Sequence, residues 1–300
     1  MPTRVLLTGA TGFVGPHVRA RIACTPLGPL EQPVDLRDYE AVRAAVAAAQ
    51  PEQVIHLAAQ SFVPRSFEAP LETFQINFIG TLHLLQALKE TGFGGRMLYV
   101  GSGDMYGTVA PEQLPLTEAQ PLRPRNPYAV SKVAAEALCY QWSQTERFEI
   151  VMARPLNHIG PGQARSFAVA SFAAQIAAIR KGRQPPRLVV GDIDVTRDYL
   201  DVRDVVRAYE LLLARGGNGE CYNICSGVER SMRSIIEHLA RLAGVAVEIA
   251  PDPQRLRRNE QRRVRGSYEK LARATGWRPE TPWEDSLRDV WTYWMEQPDG

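Results

Sequence analysis

A tyrosine and a lysine four residues apart could carry the chemistry of this chain. The stretch NPYAVSK, residues 126–132, begins a predicted helix at Pro127 and places Tyr128 one turn before Lys132. Residues i and i+4 share a face of a helix, so the phenol and the ammonium should lie side by side. Such a tyrosine could protonate a carbonyl oxygen as a hydride reaches the carbon. Taken alone, however, the pair is better explained as a polar stripe on an amphipathic helix.

A second group changes that balance. The stretch YVGSGDMYG puts Ser102 and Asp104 just past the end of a predicted strand, and ligands of an open parallel sheet bind outside the carboxyl ends of its strands. Ser102 could hydrogen-bond the oxygen that Tyr128 protonates. Bringing a tyrosine pKa from about 10 to about 7 requires about 4 kcal/mol, much of which a nearby Lys132 and an oxidised, positively charged nicotinamide could supply. The three groups together predict a carbonyl-reducing site.

A glycine triplet supplies the place for a cofactor. In LLTGATGFVG, Gly9, Gly12 and Gly15 follow the first predicted strand and open the first predicted helix. Glycines there permit a tight turn and let the backbone approach a pyrophosphate, which the helix N-terminus stabilises. The strand before and the helix after the triplet favour dinucleotide binding over a purely structural turn.

The stretch of sequence expected to bind the adenosine of the cofactor follows the usual pattern less closely. Between Gly15 and the stretch VDLRD the chain is short and proline-rich, and no clear second strand ends in Asp or Glu. That acid normally holds the ribose of NAD. Because no obvious arginine replaces it, the sequence predicts NADPH or NADH as cofactor, with NADPH mildly favoured.

The elements that must position these groups alternate along the chain. Apolar runs RVLLTG, QVIHLAA, RMLYVGS and EIVMARP are separated by helical stretches, which predicts a parallel sheet covered on both faces. The fold class is therefore α/β: a Rossmann-type doubly wound parallel sheet with a smaller C-terminal α/β substrate lobe. We assign residues 1–157 and 188–225 to the dinucleotide-binding domain and residues 158–187 and 226–300 to the sugar-nucleotide-binding lobe.

Composition excludes several classes of function. The 300 residues are 45% hydrophobic and 23% charged, with a net charge of +2, which gives no reason to expect nucleic acid or membrane binding. The four cysteines show no CxxC spacing, so we expect reduced thiols and no metal site. No apolar run reaches eighteen residues, and we expect a cytoplasmic protein.

The ordered motifs TGATGFVG, HLAA, GSGDMYG and NPYAVSK resemble those of the extended short-chain dehydrogenase/reductase family, over nearly the whole chain. The C-terminal stretches RPLNHIGPGQ, VGDIDVTRDYLDVRDV and RRNEQRRVRGS are similar to those of the family members that reduce GDP-4-dehydro-6-deoxy-D-mannose to GDP-D-rhamnose. The resemblance implies the same reduction here, with Tyr128 as proton donor.

The resemblance also implies a role for particular residues. Ser102, Tyr128 and Lys132 would be the catalytic triad, with Asp104 beside them. The implied cofactor contacts, with Tyr128 and Lys132, are Gly9, Thr11, Gly12, Phe13, Val14, Gly15, Asp35, Leu36, Leu57, Ala58, Ala59 and Asn77. The implied substrate contacts, with Ser102, Asp104 and Tyr128, are Gly103, Asn157, Arg197, Arg257, Arg258, Asn259 and Glu260.

Arginines suit a GDP-linked sugar because guanidinium groups pair with phosphate oxygens in two-point contacts. The stretch RLRRNEQRRVR could instead be a solvated basic face or a nucleic-acid patch, but it has no interleaved aromatic residues. In this family a proline follows the first arginine of the segment 257–260, and here Arg258 replaces it. His158, next to Asn157, is a further candidate for the lining of the site.

Other functions stay open at this stage. A GDP-mannose 4,6-dehydratase would carry glutamate where this chain has Asp104, which favours reduction without deciding it. An epimerase is another option on the same frame, and a non-catalytic NADP-binding redox sensor would have no need of Ser102, Tyr128 and Lys132. By analogy with the family, helices near 73–91 and 128–145 would pair in a homodimer.

Overall fold

The structure, a computed structural model, describes residues 3–255 and 261–298. Its strands all lie within those residues. In chain order they are β1 (Val5–Thr8), β2 (Cys24–Pro26), β3 (Gln53–His56), β4 (Arg96–Val100), β5 (Glu149–Pro155), β6 (Asn157–Ile159), β7 (Arg187–Val190), β8 (Thr196–Asp201), β9 (Cys221–Ile224), β10 (Glu229–Ser231) and β11 (Glu248–Pro251).

The helices follow the predicted alternation in the first half of the chain. In order they are α1 (Val14–Arg21), α2 (Tyr39–Ala49), α3 (Val63–Glu68), α4 (Pro70–Phe74), α5 (Gly80–Glu90), α6 (Pro127–Thr145), α7 (Ala168–Arg180), α8 (Val202–Arg215), α9 (Met232–Ala243), α10 (Glu269–Thr275) and α11 (Trp283–Glu296). A π turn, Gln75–Ile79, joins α4 to α5, so the predicted single helix near 73–91 is interrupted. A short 3₁₀ turn, Gly103–Tyr106, follows β4.

Six parallel strands form the central sheet, in the order β2-β1-β3-β4-β5-β9. Strands β1, β3 and β4 are almost entirely buried because helices cover both faces, as their continuous apolar runs predicted. One core cluster packs α8 against the sheet, and a second packs α2, α5 and α6 against the opposite face. The fold class predicted from the sequence is confirmed.

The smaller lobe is built from two further sheets, a three-stranded one in the order β10-β8-β6 and a two-stranded one that pairs β11 with β7. The sequence analysis did not identify β8 or β10. Strand β7, which we assigned to the dinucleotide-binding domain, pairs only outside the central sheet. The domain boundaries stay a prediction, and this pairing favours placing β7 with the smaller lobe.

A core of its own holds the smaller lobe together. Helices α7, α9 and α11 share an apolar cluster that includes Phe172, Ile176, Ile236 and Leu287, all buried. Within residues 3–255 and 261–298, no helix has the length and apolar character that crossing a bilayer demands.

Candidate active site

The site lies at the carboxyl ends of β1, β3 and β4, where three loops meet. The glycine loop follows β1, residues 57–60 follow β3, and residues 101–104 follow β4. Parallel neighbours in the sheet bring these three ends to one edge. The N-terminal turn of α6, with Tyr128, approaches the same edge, where Ser102 is close enough to affect the pKa of the phenol. The crevice that the sequence analysis expected is therefore formed.

The glycine loop has no room for side chains at two positions. Gly9 has φ +72°, and a Cβ there would lie 2.7 Å from the backbone nitrogen of Ala58. At Gly15 a Cβ would lie 2.3 Å from the carbonyl oxygen of Ala10. Gly12 is less constrained, with its nearest neighbour at 3.4 Å. Gly9 therefore sets the tight turn and Gly15 the close packing of α1, which together fit a dinucleotide pyrophosphate at the N-terminus of α1.

Next to the loop, a small cavity of about 30 Å³ lies between β1, the end of β2 and Leu36. All of its lining residues, among them Thr11, Gly28, Pro33, Leu36 and Ala58, are uncharged. Strand β2 is only three residues long and is followed by Leu27 and Gly28 rather than by an acid. The end of β2 therefore presents no carboxylate, in agreement with the sequence pattern.

Asp35, which the resemblance placed at the cofactor, is already paired with a neighbouring arginine. Its carboxylate makes a two-point ion pair with Arg37, with Oδ2 at 2.6 Å from Nη2 and Oδ1 at 3.0 Å from Nε. This pairing lowers the pKa of Asp35. Its neighbour Leu36 is buried and contacts Gly80, and the Leu36 carbonyl accepts a hydrogen bond from the His83 ring.

A cap fixes where helix α6 begins, and the starting residue sets which face of the helix is turned to the crevice. Asn126 caps the helix by accepting a 2.7 Å hydrogen bond from the Ala129 amide, and Pro127 occupies the first turn. Tyr128 and Lys132 are both buried, 8% and 4% exposed. The Lys132 ammonium donates to the Val100 carbonyl at 2.7 Å. Lys132 is therefore held between α6 and the end of β4.

Burial raises the pKa of Tyr128 well above 10. The nearby Ser102 hydroxyl opposes that rise, while the Asp104 carboxylate adds to it. Burial lowers the pKa of Lys132 to about 8. The expected lowering of the Tyr128 pKa by Lys132 is not seen in this state, because Lys132 is directed to the Val100 carbonyl. A protonated Tyr128 is the form that a proton donor needs before the hydride arrives.

Ser102 and Asp104 sit on the short 3₁₀ turn that follows β4. Ser102 caps this turn, its hydroxyl accepting from the Asp104 amide at 3.2 Å. Gly103 lies against Leu156, leaving 3.0 Å for a Cβ. The Asp104 side chain is exposed at the crevice. The carboxylate is thus near Tyr128 without being bonded to it in the described contacts.

Asn77 occupies the π turn and holds two loops together. Its Nδ2 donates to the Gln60 carbonyl at 3.0 Å, and its Oδ1 accepts from the Gln60 amide at 2.8 Å. The same Nδ2 donates to the Ser131 hydroxyl, which in turn donates to the Tyr128 carbonyl. Interrupted helices of this kind are frequent at functional sites. Asn77 therefore links the loop after β3 to the helix that carries Tyr128.

Buried His56, on β3, has a specific hydrogen-bonding role. The Thr81 hydroxyl donates to the Asn77 carbonyl at 2.7 Å, so it can only accept from His56 Nε2 at 2.9 Å. His56 Nδ1 therefore accepts from Thr8 at 2.7 Å, and Thr8 accepts from the Ala58 amide. Burial lowers the pKa of His56 to about 3. A polar residue inside the buried stretch QVIHLAA was the available signal.

Two of the predicted sugar-nucleotide contacts, Asn157 and Arg197, lie in the three-stranded sheet of the smaller lobe. Asn157 is exposed at the start of β6. Arg197, on β8, donates from Nη1 to the carbonyls of Thr196 and Gln261, both within 2.8 Å. The predicted contacts Arg257, Arg258, Asn259 and Glu260 lie outside the described residues.

A buried carboxylate that the sequence analysis did not single out organises this side. Asp198 is fully buried and accepts four hydrogen bonds: from the amides of Ser226, Gly227 and Gly266, and from the Ser226 hydroxyl at 2.6 Å. Burial nevertheless raises its pKa. Asp198 thus fastens the loop after β9 and residue 266 to the strand that carries Arg197.

Phe13 and His158 connect the two sides of the crevice. Phe13, on the glycine loop, stacks on the His158 ring with centroids 5.8 Å apart and planes 9° apart. His17 contacts Phe13 edge-on and hydrogen-bonds the Pro161 carbonyl. The candidate site residue His158 is therefore half-buried against the cofactor loop.

A parallel sheet with a glycine loop at its first turn, together with Ser102, Tyr128 and Lys132 at one crevice, defines an extended short-chain dehydrogenase/reductase. The model of the family GDP-mannose 4,6 dehydratase matches residues 32–290 of the chain. The chain belongs to this family.

Individual proteins that are similar to this chain match it over nearly its whole length. The curated GDP-6-deoxy-D-mannose reductase of Pseudomonas aeruginosa is 51% identical over 298 residues, 98% of either chain. The structure of RMD from Pseudomonas aeruginosa complexed with NADPH superposes with a TM-score of 0.92 at 50% identity, covering 98% of this chain and 99% of that one. A UDP-glucose 4-epimerase of Thermus thermophilus in complex with NAD is 32% identical, with a TM-score of 0.86 over 98% and 99% of the chains.

Proposed function

We propose that this protein reduces the C4 keto group of GDP-4-dehydro-6-deoxy-D-mannose, with NADPH or NADH as hydride source, to give GDP-D-rhamnose. The observation that carries the proposal is the 51% identity, across 98% of both chains, to a GDP-6-deoxy-D-mannose reductase. The matched structure is a complex with NADPH. The carbonyl-reducing groups Ser102, Tyr128 and Lys132 support the same reaction.

The residues around the crevice fit a nicotinamide dinucleotide. Gly9 and Gly15 leave space that any Cβ would fill, so the backbone can approach a pyrophosphate at the N-terminus of α1. The adenosine would lie at the uncharged cavity beside Leu36. When bound, the reduced nicotinamide supplies the hydride. Because no carboxylate lines the described cavity, a 2′-phosphate meets no repulsion there, which favours NADPH mildly.

Tyr128 would donate the proton to the substrate oxygen. Its pKa is raised by burial, so it is protonated at neutral pH and ready to act as a general acid. The Ser102 hydroxyl would hydrogen-bond the same oxygen and fix its position. As the phenolate forms, the buried ammonium of Lys132 would stabilise the negative charge. General acid catalysis of this kind contributes about 10²–10⁴-fold to a rate.

The nucleotide diphosphate would be bound on the opposite side by Asn157, Arg197 and residues 257–260. Guanidinium groups recognise phosphate oxygens through paired hydrogen bonds. The segment around Gln261, on which Arg197 already donates a bond, leads directly into residues 257–260. This arrangement would place the sugar between Arg197 and the Ser102–Asp104 turn.

A dehydratase is the second candidate, because the chain belongs to the family named for GDP-mannose 4,6-dehydratase and Asp104 puts a carboxylate at the crevice. Elimination of water requires an acid/base group beside the sugar, and Asp104 could take that role. Its side chain is one methylene shorter than glutamate, which favours reduction.

We further propose a homodimer built on α6 and the α3–α4 segment. These helices pack on each other within the chain, and their outer surface exposes Phe67, Leu71, Val130 and Tyr140, with Leu71 70% exposed. Exposed large apolar side chains on neighbouring helices suit an interface between two copies of the chain. Leu71→Asp should convert a dimer to monomers in analytical ultracentrifugation, whereas a dimer that persists would contradict this interface.

One assay tests the function. NADPH or NADH is incubated with GDP-4-dehydro-6-deoxy-D-mannose, with GDP-mannose as control, and cofactor oxidation is followed at 340 nm. We expect one cofactor oxidised per keto sugar and none with GDP-mannose. Conversion of GDP-mannose to the keto sugar without net cofactor oxidation would instead establish the dehydratase.

A further inference from the structure

A buried ion pair lies directly behind the crevice. Arg154, on β5, and Glu136, on α6, are each 6% exposed. The Arg154 Nε donates to the two carboxylate oxygens at 2.9 and 3.2 Å, and Nη2 donates to Oε1 as well. Each end of the pair is therefore fixed in orientation as well as in distance.

Arg154 also contacts the turn that bears Ser102. Its Nη1 donates to the Tyr106 hydroxyl at 3.0 Å, and its guanidinium lies 5.3 Å from the Tyr106 ring centroid. Tyr106 in turn donates to Asn223 Oδ1, on β9, at 2.6 Å. We call Glu136, Arg154, Tyr106 and Asn223 the arginine clamp. It joins four elements: α6, β5, the 3₁₀ turn and β9.

The clamp includes residues of both elements that carry the reacting groups, the 3₁₀ turn and α6. Tyr106 ends the 3₁₀ turn that Ser102 caps and on which Asp104 lies. Glu136 falls four residues after Lys132 and eight after Tyr128, on the same buried face of α6. At Gly101, which precedes Ser102, a Cβ would lie 3.4 Å from Glu136 Oε2.

Stability alone is a weak reason for such a pair, because the cost of removing both charges from water commonly cancels their attraction. The position of the clamp points to the reaction instead. We propose that Arg154 is a positioning residue: through Glu136 and Tyr106 it holds the Ser102–Asp104 turn against α6 and keeps the Glu136 carboxylate from pairing with Lys132. The inference rests on the proposed function, since it assigns catalysis to Ser102, Tyr128 and Lys132.

The charge argument depends on which groups face Glu136 and Lys132. Glu136 is next to Lys132 and Cys139 on its own helix and faces Arg154 on β5. The other titratable groups around the two side chains are His56 on β3, Tyr99 on β4, Tyr106 and Asp104 on the 3₁₀ turn, Tyr128 on α6, Tyr209 on α8, Cys221 on β9 and Glu118 in the loop before α6. Among these described groups, Arg154 is the cation that neutralises Glu136.

The decisive variant removes both charges together. Glu136→Leu with Arg154→Met replaces the pair by apolar groups of similar size, a change that buried pairs usually survive. We expect a folded protein whose Kd for NADPH stays within about twofold, because the glycine loop is untouched, and whose kcat falls at least about tenfold as the turn loses its anchor. A kcat within twofold of the wild type would overturn the proposal.

Single variants test the charge by pH. Glu136→Gln leaves Arg154 unpaired near Lys132 and should move the alkaline limb of the kcat profile to lower pH, whereas Arg154→Gln leaves the carboxylate and should move it to higher pH. Arg154→Lys keeps the cation and should restore the limb and part of kcat. A merely structural pair would leave the alkaline limb at the wild-type pH. If the limb does not move in the single variants that fold, the inference is contradicted.

The matched control is a buried pair away from the site. Arg207 pairs with Asp204 on α8, with side chains 15% and 3% exposed, so Arg207→Met should lower the melting temperature without changing kcat or the pH limb. The wild type is assayed first. If it does not turn over the keto sugar, the proposed function fails, whereas an active wild type with equally active clamp variants contradicts only this inference.

Discussion

The two sides of the crevice are held by different kinds of interaction. On the cofactor side, Gly9 sets a backbone turn and a relay of neutral groups, centred on His56, fixes the loops. On the sugar-nucleotide side, the buried carboxylate of Asp198 gathers four donors beside Arg197. A neutral relay avoids the cost of burying a charge, whereas Asp198 offsets that cost with hydrogen bonds. The stability of the first side should therefore depend on backbone shape and should fall at low pH. The stability of the second side should depend on the hydrogen-bond donors around Asp198.

The largest effect should come where the two sides meet. Tyr128→Phe removes the proton donor but retains the ring, so we expect kcat to fall by about 10³-fold while Kd for NADPH and for the keto sugar changes little. Single-turnover kinetics with titration of both ligands would measure this. Weakened binding with an unchanged chemical step would contradict the role of Tyr128.

Low pH should test the neutral relay. The folded-state pKa of His56 is about 3 and the unfolded value about 6.5, so below pH 6.5 the unfolded chain binds a proton that the folded chain does not. The contribution of neutral His56 is complete above pH 6.5 and is lost progressively as the pH falls toward 3. Between pH 7 and pH 4 the wild type should lose about 3 kcal/mol more unfolding free energy than His56→Gln.

Urea unfolding at the two pH values would give this difference. Since Gln does not titrate, other carboxylates and histidines affect both proteins alike. Equal losses in the two proteins would show that His56 is protonated in the folded state as easily as in the unfolded chain.

The donors around Asp198 test the other side. Asp198→Asn keeps the size of the side chain but turns one acceptor into a donor that faces backbone amides. We expect a loss of about 2 kcal/mol in unfolding free energy and a Kd for the keto sugar raised about tenfold, with NADPH binding unchanged. Calorimetric titration of each ligand would check this, and equal weakening of both ligands would contradict a separate role for this side.

Backbone shape at the glycine loop can be tested by a pair of alanines. Gly9→Ala places a Cβ 2.7 Å from the Ala58 amide at a φ of +72°, whereas at Gly12 the nearest atom is 3.4 Å away. We expect Gly9→Ala to weaken NADPH binding at least about tenfold and Gly12→Ala to have a smaller effect. Fluorescence titration would rank the two, and an equal effect would contradict the assigned turn.

The smallest effect should concern cofactor choice. Arg37 is half-exposed and paired with Asp35, so Asp35→Asn would free a cation near the adenosine cavity. Because an exposed pair of this kind is weak, the ratio of kcat/KM for NADPH over NADH should rise by only about threefold. A ratio that stays the same would show that Arg37 does not reach the 2′-phosphate.

The sequence by itself determined the central sheet, the position of the glycine loop and the spacing of Tyr128 and Lys132. These depend on local patterns: apolar runs of strand length, glycines between strand and helix, and a helix that starts at Asn126 and Pro127. It also indicated correctly that β2 would not end in an acid, because the residues themselves were missing. The strands of the smaller lobe were less predictable, since β8 and β10 are rich in polar residues and form by pairing with strands distant in the chain.

Only the tertiary structure decided how the groups behind the site are connected. His56, Asp198 and the pair of Glu136 with Arg154 look like ordinary polar residues in the sequence, because their partners lie 18 to 68 residues away along the chain. The same holds for Lys132, whose ammonium is directed to the Val100 carbonyl, 32 residues away along the chain. The hydrogen-bond partners of buried groups depend on which elements pack together, and the periodicity of the sequence does not predict this packing.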